Sequence, residues 1–480
     1  MDLQISKPNS NTSIINTVAL LVFLPCLLIL STNTLVTLYS FLVILVVFNL
    51  LWKPGHPPII FLCLALQWVQ ASTRIFQANL AGLTLKEYDH SSNAEPAVLI
   101  ALTSLLLLGV IIGGLLKKTS LKQDVIYNHL EKIQLNRLVL VYLVVTIIFP
   151  LLNRFASGGL AQIVGSLQTL KWALYSLLVL ASIKQGRYQL VTFGIFIIEL
   201  LLGFISYFSS YRDVLFVTLI TYFIVHNRIV FKNLLLATVF VVLLFNVFVV
   251  WTGIKTEYRN FLNTGSSQSV NVSSQEALSQ LGYLLSNYSS SQYSKDLQSS
   301  LDRLQYSQMT QYCMDYVPIG TPHTNGQLWV NAVSHVFMPR ILFPDKAILD
   351  DTALARKYTG FSWYGAGAGT SISLGYVAES YVDFGYFLFF IPVVFLGMLI
   401  GTIYKFLINE PSKYIILNLG MIIPILLPFQ LLEISSTKLV GGIIMNSIVF
   451  IFVIRLFIYP LIFNFIYRND NKCAEKQSFK

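Results

Sequence analysis

Long apolar runs separated by short polar stretches make up most of the chain. Many approach the roughly 20 residues that a helix needs to cross a bilayer, and they lack the alternation of barrel strands. Because only helices and closed barrels satisfy their backbone hydrogen bonds in lipid, the pattern predicts an all-α polytopic membrane protein. We predict about twelve transmembrane helices by hydropathy, near 14–31, 35–52, 59–79, 97–116, 137–153, 168–183, 188–206, 211–226, 233–254, 380–407, 413–431 and 439–463.

Composition and charge fix the expected orientation. Hydrophobic residues make up 55% of the chain and charged residues 11%, against roughly 25% charged residues in soluble domains. The net charge of +10 comes mostly from the connections 117–136, 184–187 and 226–232 and from the C-terminal tail. The positive-inside rule makes these segments and both termini cytoplasmic. The first span then serves as an uncleaved anchor.

The residue composition also argues against a nucleic-acid-binding function and against a disulfide framework. Basic residues do not cluster with aromatic residues on a soluble element, so we predict no nucleic-acid partner. The cysteines, Cys26, Cys63, Cys313 and Cys473, are scattered between predicted spans and both sides of the membrane. They predict no disulfide framework.

The predicted spans divide the chain into four parts. These are an N-terminal transmembrane bundle of about nine helices (1–254), a large outer loop (255–379), C-terminal transmembrane helices (380–463) and a cytoplasmic tail (464–480). In the loop, apolar residues recur at helical spacing: Leu278, Leu281, Leu284 and Leu285, then Leu297, Leu301, Leu304 and Met309. They predict two short amphipathic helices on the membrane or the protein. The apolar run before Pro339 predicts a re-entrant or interfacial segment.

Positive charges also occur on the outer side, where insertion bias disfavours them. They stand at outer span ends or in the outer loop: Arg74, Arg154, Lys171, Arg212, Arg259, Lys438, Arg303 and Arg340. A single arginine at a helix end commonly snorkels to headgroups, but a repeated set indicates a functional site. Guanidinium groups bind phosphates bidentately and stay charged. The set predicts a site for a lipid diphosphate, whose leaving-group charge the same cations stabilise.

Transfer of a group from a lipid diphosphate to an acceptor hydroxyl would also call for a base at that hydroxyl. The outer candidates are Glu379, Asp383, Asp345, Asp350, His323, His335 and Glu433. We favour Glu379, which lies at the predicted start of a span, because an ionised carboxylate at that depth is costly unless it has a function. Its alternative role is a salt bridge that orients an arginine. No HExxH motif, cysteine pair or carboxylate cluster indicates a metal site.

Four segments carry a family resemblance: SSYR (209–212), WTGIKTEYR (251–259), MPRILFPDK (338–346) and GYVAESYVDFG (375–385). Their order resembles the bacterial oligosaccharide repeat-unit polymerases, the Wzy-type or O-antigen polymerase-like membrane glycosyltransferases. The resemblance covers roughly residues 200–405, and the multi-span layout extends it to the whole chain. Where many relatives have Asn before Phe-Gly, this chain has Asp383. The role of that position therefore does not carry over directly.

The resemblance implies a fold similar to the C-type glycosyltransferases and an active site on the periplasmic face of a bacterial inner membrane. It implies polymerisation of undecaprenyl-diphosphate-linked repeat units into a surface polysaccharide (O-antigen, capsule or exopolysaccharide) by inverting transfer. The implied partners are the lipid-linked donor and acceptor, membrane lipids, a chain-length regulator and a flippase. No cofactor and no metal are implied.

The resemblance and the charges together give the candidate site. Glu379, Arg340 and Arg212 are the predicted catalytic residues. The predicted diphosphate- or glycan-binding residues are Arg74, Arg154, Arg259, Arg303, Lys346, Tyr211, Tyr381 and His335. Pro339 and Pro344 cannot continue a helix, so they stiffen a bend that holds Arg340 and Lys346 toward the site. An interfacial loop anchored by the arginine is the alternative.

Two other functions stay open. An O-antigen ligase-like transferase uses the same donor with a different acceptor, and its donor site would look alike. A transporter or flippase of lipid-linked oligosaccharide predicts two related halves and polar residues across the whole membrane. The polar anomalies of this chain lie on one side, which favours an enzyme.

Overall fold

A computed structural model describes residues 32–53, 56–119, 121, 123–205, 211–225, 231–263, 270–338, 343, 346, 349–363, 371–409 and 414–467. The predicted span 14–31, Arg340 with its flanking prolines, and most of the predicted cytoplasmic tail lie outside these residues. Within the described residues the chain folds into helices and forms no strand. The all-α prediction is confirmed.

The N-terminal half contains eleven described helices. They are α1 (Thr34–Leu51), α2 (Ile59–Leu80), α3 (Leu85–Tyr88), α4 (Ala94–Leu116), α5 (Gln123–Glu131), α6 (Leu135–Phe155), α7 (Gly158–Gln168), α8 (Leu170–Gln185), α9 (Gln189–Ile205), α10 (Tyr211–Val225) and α11 (Phe231–Asn263).

The described part of the C-terminal half continues with ten more. They are α12 (Ser274–Ser286), α13 (Ser290–Leu304), α14 (Ser307–Tyr316), α15 (Gln327–Phe337), α16 (Asp351–Thr359), α17 (Tyr376–Leu388), α18 (Phe390–Asn409), α19 (Ile415–Leu426), α20 (Ser436–Val449) and α21 (Tyr459–Ile466). A 3₁₀ turn (Leu427–Gln430) follows α19, and a π-helical stretch (Phe450–Ile458) joins α20 to α21.

Eight described segments are long and apolar enough to cross a membrane. They are Thr34–Leu51, Ile59–Leu80, Ala94–Leu116, Leu135–Phe155, Gly158–Gln185, Val241–Asn263, Phe390–Asn409 and Ser436–Ile466. Gln189–Ile205 and Ile415–Gln430 are shorter apolar helices. The molecule is thus an α-helical membrane protein, and the count of about twelve spans stays a prediction.

The predicted span 380–407 begins later in the structure. Gly385 adopts a left-handed backbone conformation (φ 69°, ψ −168°) that a side chain disfavours. This kink separates the short helix α17 from the candidate span Phe390–Asn409. Glu379 therefore lies in a separate helix that precedes the span.

Of the two predicted amphipathic helices of the loop, the first is present as α12, whereas the second is α13 only as far as Leu304, and Met309 lies on α14. Ser273 caps the start of α12, where its hydroxyl accepts from the Glu276 amide and the Glu276 carboxylate accepts from the Ser273 amide. The apolar side of α12 packs in a separate core with α10 and α11, built from Tyr211, Leu215, Trp251, Ile254, Tyr258, Leu262, Ala277, Leu281 and Leu284. This second core fixes the C-terminal end of α11 against α12.

A break in the helical structure separates α19 from α20, and hydrogen bonds hold this break from two sides. Gln70 of α2 accepts from the Leu432 amide through its side-chain oxygen at 2.8 Å, and the Gln67 side chain donates to the Phe429 carbonyl. On the other side, the Tyr376 amide donates to the Ile434 carbonyl at 3.0 Å. Glutamines that interrupt a predicted span thus satisfy the backbone of this break.

Candidate functional site

Four basic residues from three helices lie close enough to interact electrostatically. Lys255 of α11 interacts electrostatically with the guanidinium groups of Arg303, Arg259 and Arg212. Arg212 lies in the first turn of α10, and Arg303 lies in the last turn of α13. We call Arg212, Lys255, Arg259 and Arg303 the cationic cluster. Three of its members are among the predicted site residues.

The second core explains why these side chains converge. Tyr211, Ile254 and Tyr258 are buried in it and directly precede Arg212, Lys255 and Arg259. Lys255 and Arg259 are four residues apart on α11, so they lie on the same face of the helix. The buried anchors therefore hold each basic side chain beside its neighbours.

Helix α13 reaches the cluster because it packs closely on α11. A Cβ atom at Gly253 would lie 1.9 Å from the Asp296 Oδ2 atom, so a larger residue there would require the Asp296 side chain to move. The Tyr288 hydroxyl donates to Asp296 Oδ2 at 2.7 Å, and the Tyr293 hydroxyl donates to Asn246 Oδ1 at 2.6 Å. These contacts bring the last turn of α13, with Arg303, toward Lys255.

Asp213, next to Arg212 in the sequence, links the cluster to a buried ion pair. Lys171 pairs with the buried Glu199 at 2.9 Å, and the Tyr142 hydroxyl donates to the other Glu199 oxygen. Asp213 lies in the field of Arg212 and Lys171 and accepts from Gln430 at 3.4 Å. A carboxylate inside a membrane is costly unless it is paired, and Lys171 supplies that pair for Glu199.

Sequence reasoning missed Lys255, the residue on which the three arginines act. The predicted span ended at residue 254, whereas α11 continues to Asn263. An available signal was the four-residue spacing between Lys255 and Arg259, which places two cations on one helix face.

Glu379 is buried, with 2% of its surface exposed. Its Oε2 atom accepts from the Ser436 amide at 2.9 Å and from the Ser436 hydroxyl, at the N-terminus of α20. Its Oε1 atom has no hydrogen-bond partner among the described residues. Burial raises the pKa of Glu379 to about 7, with Asp351 and Asp383 adding to the rise while the Ser436 bonds oppose it. A salt bridge to an arginine, its alternative predicted role, is not among the described contacts of Glu379.

Tyr306 lies near both Glu379 and Glu433. Its ring lies in the field of the carboxylates of Glu433, Asp351 and Glu379. Glu433 in turn acts on Lys255. Carboxylates and cations therefore occupy adjoining parts of one polar region.

Two predicted binding residues make structural contacts. Arg74 donates to Asp89 at 2.6 Å, lies 3.7 Å from Asp302 and covers the Tyr88 ring at 4.7 Å. The Lys346 ammonium donates to the carbonyls of His335 and Met338, the latter at 2.8 Å, at the C-terminus of α15. Arg74 thus neutralises a carboxylate, and Lys346 satisfies carbonyls at the end of a helix.

The remaining predicted residues are dispersed. The Tyr381 hydroxyl donates to the Val317 carbonyl at 3.1 Å, and Tyr211 stacks on Phe204 at 4.4 Å. His335 is half-buried on α15, and Arg154 is exposed at the end of α6. Arg340 lies outside the described residues. Their predicted roles in binding stay predictions.

Asp383, which stands where many relatives of the resembled family have Asn, has a clear structural role. Its carboxylate accepts from the amides of Leu328 at 3.0 Å and Trp329 at 2.9 Å, and from the Thr324 hydroxyl. A carboxylate at this position satisfies the first amides of α15 and complements its dipole. Asp383 is therefore a helix cap.

An apolar groove of about 690 Å³ lies beside the same helix. Its walls come from α15 and from the neighbourhood of the α17–α18 kink, and include Trp329, Val333, Phe384 and Phe395. The lining is almost wholly apolar, which suits a hydrocarbon chain and not a sugar.

Comparison with known families gives one match. The family model described as "Domain of unknown function (DUF8712)" matches residues 84–465. No curated protein and no solved structure matches the chain.

Proposed function

The chain belongs to the DUF8712 family, a family of unknown function, and we propose that it is a membrane glycosyltransferase that polymerises lipid-diphosphate-linked oligosaccharide repeat units. The observation that supports this proposal most is the cationic cluster. Four cations that interact with one another in a membrane protein form a positive surface that suits an anionic ligand. Arginine forks match the geometry of a diphosphate.

The proposed reaction uses the cluster twice. On binding, Arg212, Arg259 and Arg303 would hold the diphosphate of the donor through charge-assisted hydrogen bonds. During transfer, the bond between the anomeric carbon and the diphosphate oxygen breaks, and an acceptor hydroxyl forms the new glycosidic bond. The negative charge that develops on the departing lipid diphosphate is then stabilised by the same cations.

A lipid-linked donor also needs an apolar surface for its tail. The groove that includes Trp329 and Phe395 supplies one in the same molecule. The proposed setting is the outer leaflet of a bacterial inner membrane, because the cluster belongs to the segments that the positive-inside rule puts outside.

Deleting the gene in its host and analysing lipid-linked glycans tests the proposal. A polymerase deletion should leave single lipid-linked repeat units on the outer leaflet and no long glycan. Long chains still attached to lipid diphosphate would identify a ligase instead. Single units confined to the inner leaflet would identify a transporter, and an unchanged glycan pattern would overturn the proposal altogether.

A further inference from the structure

Glu433 lies on the break between α19 and α20, where hydrogen bonds hold the backbone on both sides. It lies between the 3₁₀ turn that follows α19 and the start of α20, and it is half-buried. The residue before it is held by Gln70, through the Leu432 amide at 2.8 Å. The residue after it is held by Tyr376, which donates to the Ile434 carbonyl at 3.0 Å. Both backbone neighbours of Glu433 are therefore fixed.

The tight fit of the opposing segment adds to this rigidity. Gly375 has φ +82°, and a Cβ atom there would lie 2.4 Å from the Leu432 carbonyl oxygen. A larger residue would displace the break. The chain thus keeps a glycine where the α17 segment passes next to Glu433.

The Glu433 side chain differs from the other carboxylates of this region. Asp351 pairs with Lys438 at 2.6 Å, Asp213 accepts from Gln430, and Glu379 accepts from Ser436. Glu433 acts on Lys255 and on Tyr306 through its charge. Within the described part of the chain it forms no hydrogen bond and no ion pair.

We propose that Glu433 is the general base that takes the proton from the acceptor hydroxyl, an inference that rests on the proposed transferase function. The hydroxyl oxygen bonds to the anomeric carbon as the diphosphate leaves with the electron pair of the broken bond. Glu433 receives the hydroxyl proton and later releases it to water. A carboxylate beside the cations that hold the diphosphate is suitably placed to meet an acceptor aligned against the donor.

Glu379 is less suited to that step. It is 2% exposed and its Oε2 atom is occupied by Ser436 at the start of α20. An acceptor sugar would have to displace α20 to reach it. Glu379 instead acts as a positioning residue, because it holds the first turn of the helix that follows Glu433.

The test compares Glu433→Gln and Glu433→Asp with Glu257→Gln, which removes an exposed carboxylate from α11. Each variant is purified with the wild type and given a lipid-diphosphate-linked repeat unit. The initial polymerisation rate is measured together with the binding of farnesyl diphosphate, a short lipid diphosphate used as the probe. Thermal unfolding of each variant confirms a matched folded fraction.

We expect Glu433→Gln to lower the rate by about 100-fold or more, and Glu257→Gln to leave it unchanged. Farnesyl diphosphate should bind Glu433→Gln as tightly as the wild type or more tightly, because a negative charge beside Lys255 is removed. The Glu433→Asp variant should retain part of the rate, since it keeps a base with a shorter reach.

Two results would overturn the base role while leaving the transferase proposal intact. One is a wild-type rate for Glu433→Gln. The other is a parallel loss of rate and of farnesyl diphosphate binding, which would make Glu433 a residue that shapes the donor site. A wild-type protein that binds the probe but extends no glycan would overturn the transferase proposal, and the base role with it.

Discussion

At the scale of single residues, the position of Lys255 among three arginines and the burial of Glu379 define the polar region. Lys255 is half-buried on α11 and experiences repulsion from Arg212, Arg259 and Arg303. Glu379 is buried where a carboxylate keeps a proton more readily than in water. Both residues lower the free energy of unfolding unless they bind a ligand or hold a helix in place.

The pKa of Glu379 gives a prediction about stability. It lies at about 7 in the folded protein because of burial, above the value of about 4.5 for an unperturbed glutamate. Between these pH values the folded state binds more protons than the unfolded state. The free energy of unfolding should therefore fall as pH rises from about 4.5 to about 7, and this contribution should level off above that.

Glu379→Gln removes this titration and keeps an acceptor for Ser436. Thermal unfolding in detergent should show a smaller loss of melting temperature between pH 5 and pH 7.5 for Glu379→Gln than for the wild type. Identical pH slopes for the two proteins would contradict the assignment of the titration to Glu379.

At the scale of elements, the packing of α13 on α11 carries Arg303 to the cluster. At Gly253 a Cβ atom would clash with the Asp296 side chain as it is placed in the structure. Gly282 on α12 has no atom within 4 Å of a corresponding Cβ position. The two glycines form a matched pair for testing the contact.

Gly253→Ala should destabilise the protein although alanine favours a helix over glycine by about 1 kcal/mol. Gly282→Ala should be neutral or stabilising for the same intrinsic reason. Thermal unfolding and limited proteolysis within residues 270–304 measure both. Combining Gly253→Ala with Asp296→Ala should restore part of the lost stability, and wild-type stability of the single Gly253→Ala variant would contradict the predicted cost of displacing Asp296.

Much of the element pattern could be predicted from the sequence. Periodic leucines predicted α12 and α13, and apolar runs predicted the spans that the structure describes. The kink at Gly385 and the helical extension of α11 to Asn263 were missed, because hydropathy reports neither a local backbone conformation nor a polar continuation of a helix beyond a span.

The candidate site was predictable only in part, for a related reason. Charge placed against insertion bias pointed to Arg212, Arg259 and Arg303 but pointed equally to Arg74, which pairs with Asp89. A sequence shows where cations occur and does not show which carboxylates neutralise them. The role of Asp383 as the cap of α15 was hidden in the same way.

At the scale of the whole molecule, the orientation stays a prediction that labelling can test. Cys63 and Cys313 are buried, so native thiols in the described residues are poor reporters. We propose single cysteines at Ser291, which is exposed on α13, and at Asn128, which is exposed on α5, in a background with all four native cysteines replaced by alanine.

An impermeant thiol reagent on intact spheroplasts should label the cysteine at position 291 and spare the one at position 128. After permeabilisation both should react, which controls for accessibility. Labelling of position 128 alone in intact spheroplasts would invert the orientation and place the cationic cluster on the cytoplasmic side.

The central claim is that the cationic cluster binds a diphosphate during chain growth. Each arginine should contribute charge-assisted hydrogen bonds of about 1.5–3 kcal/mol, so that single replacements by alanine lower chain growth by about tenfold or more. Replacement by lysine keeps the charge but loses the planar fork, and should restore activity only in part. A snorkelling arginine would instead accept lysine freely.

The most direct measurement is glycan chain length for paired lysine and alanine variants of Arg212, Arg259 and Arg303, at matched protein level. Arg187→Ala, which removes an exposed arginine from the opposite predicted side, is the control. We predict that the alanine variants accumulate single lipid-linked repeat units, that the lysine variants make shortened glycans, and that Arg187→Ala makes normal ones. Wild-type polymer from all three lysine variants would contradict the diphosphate site.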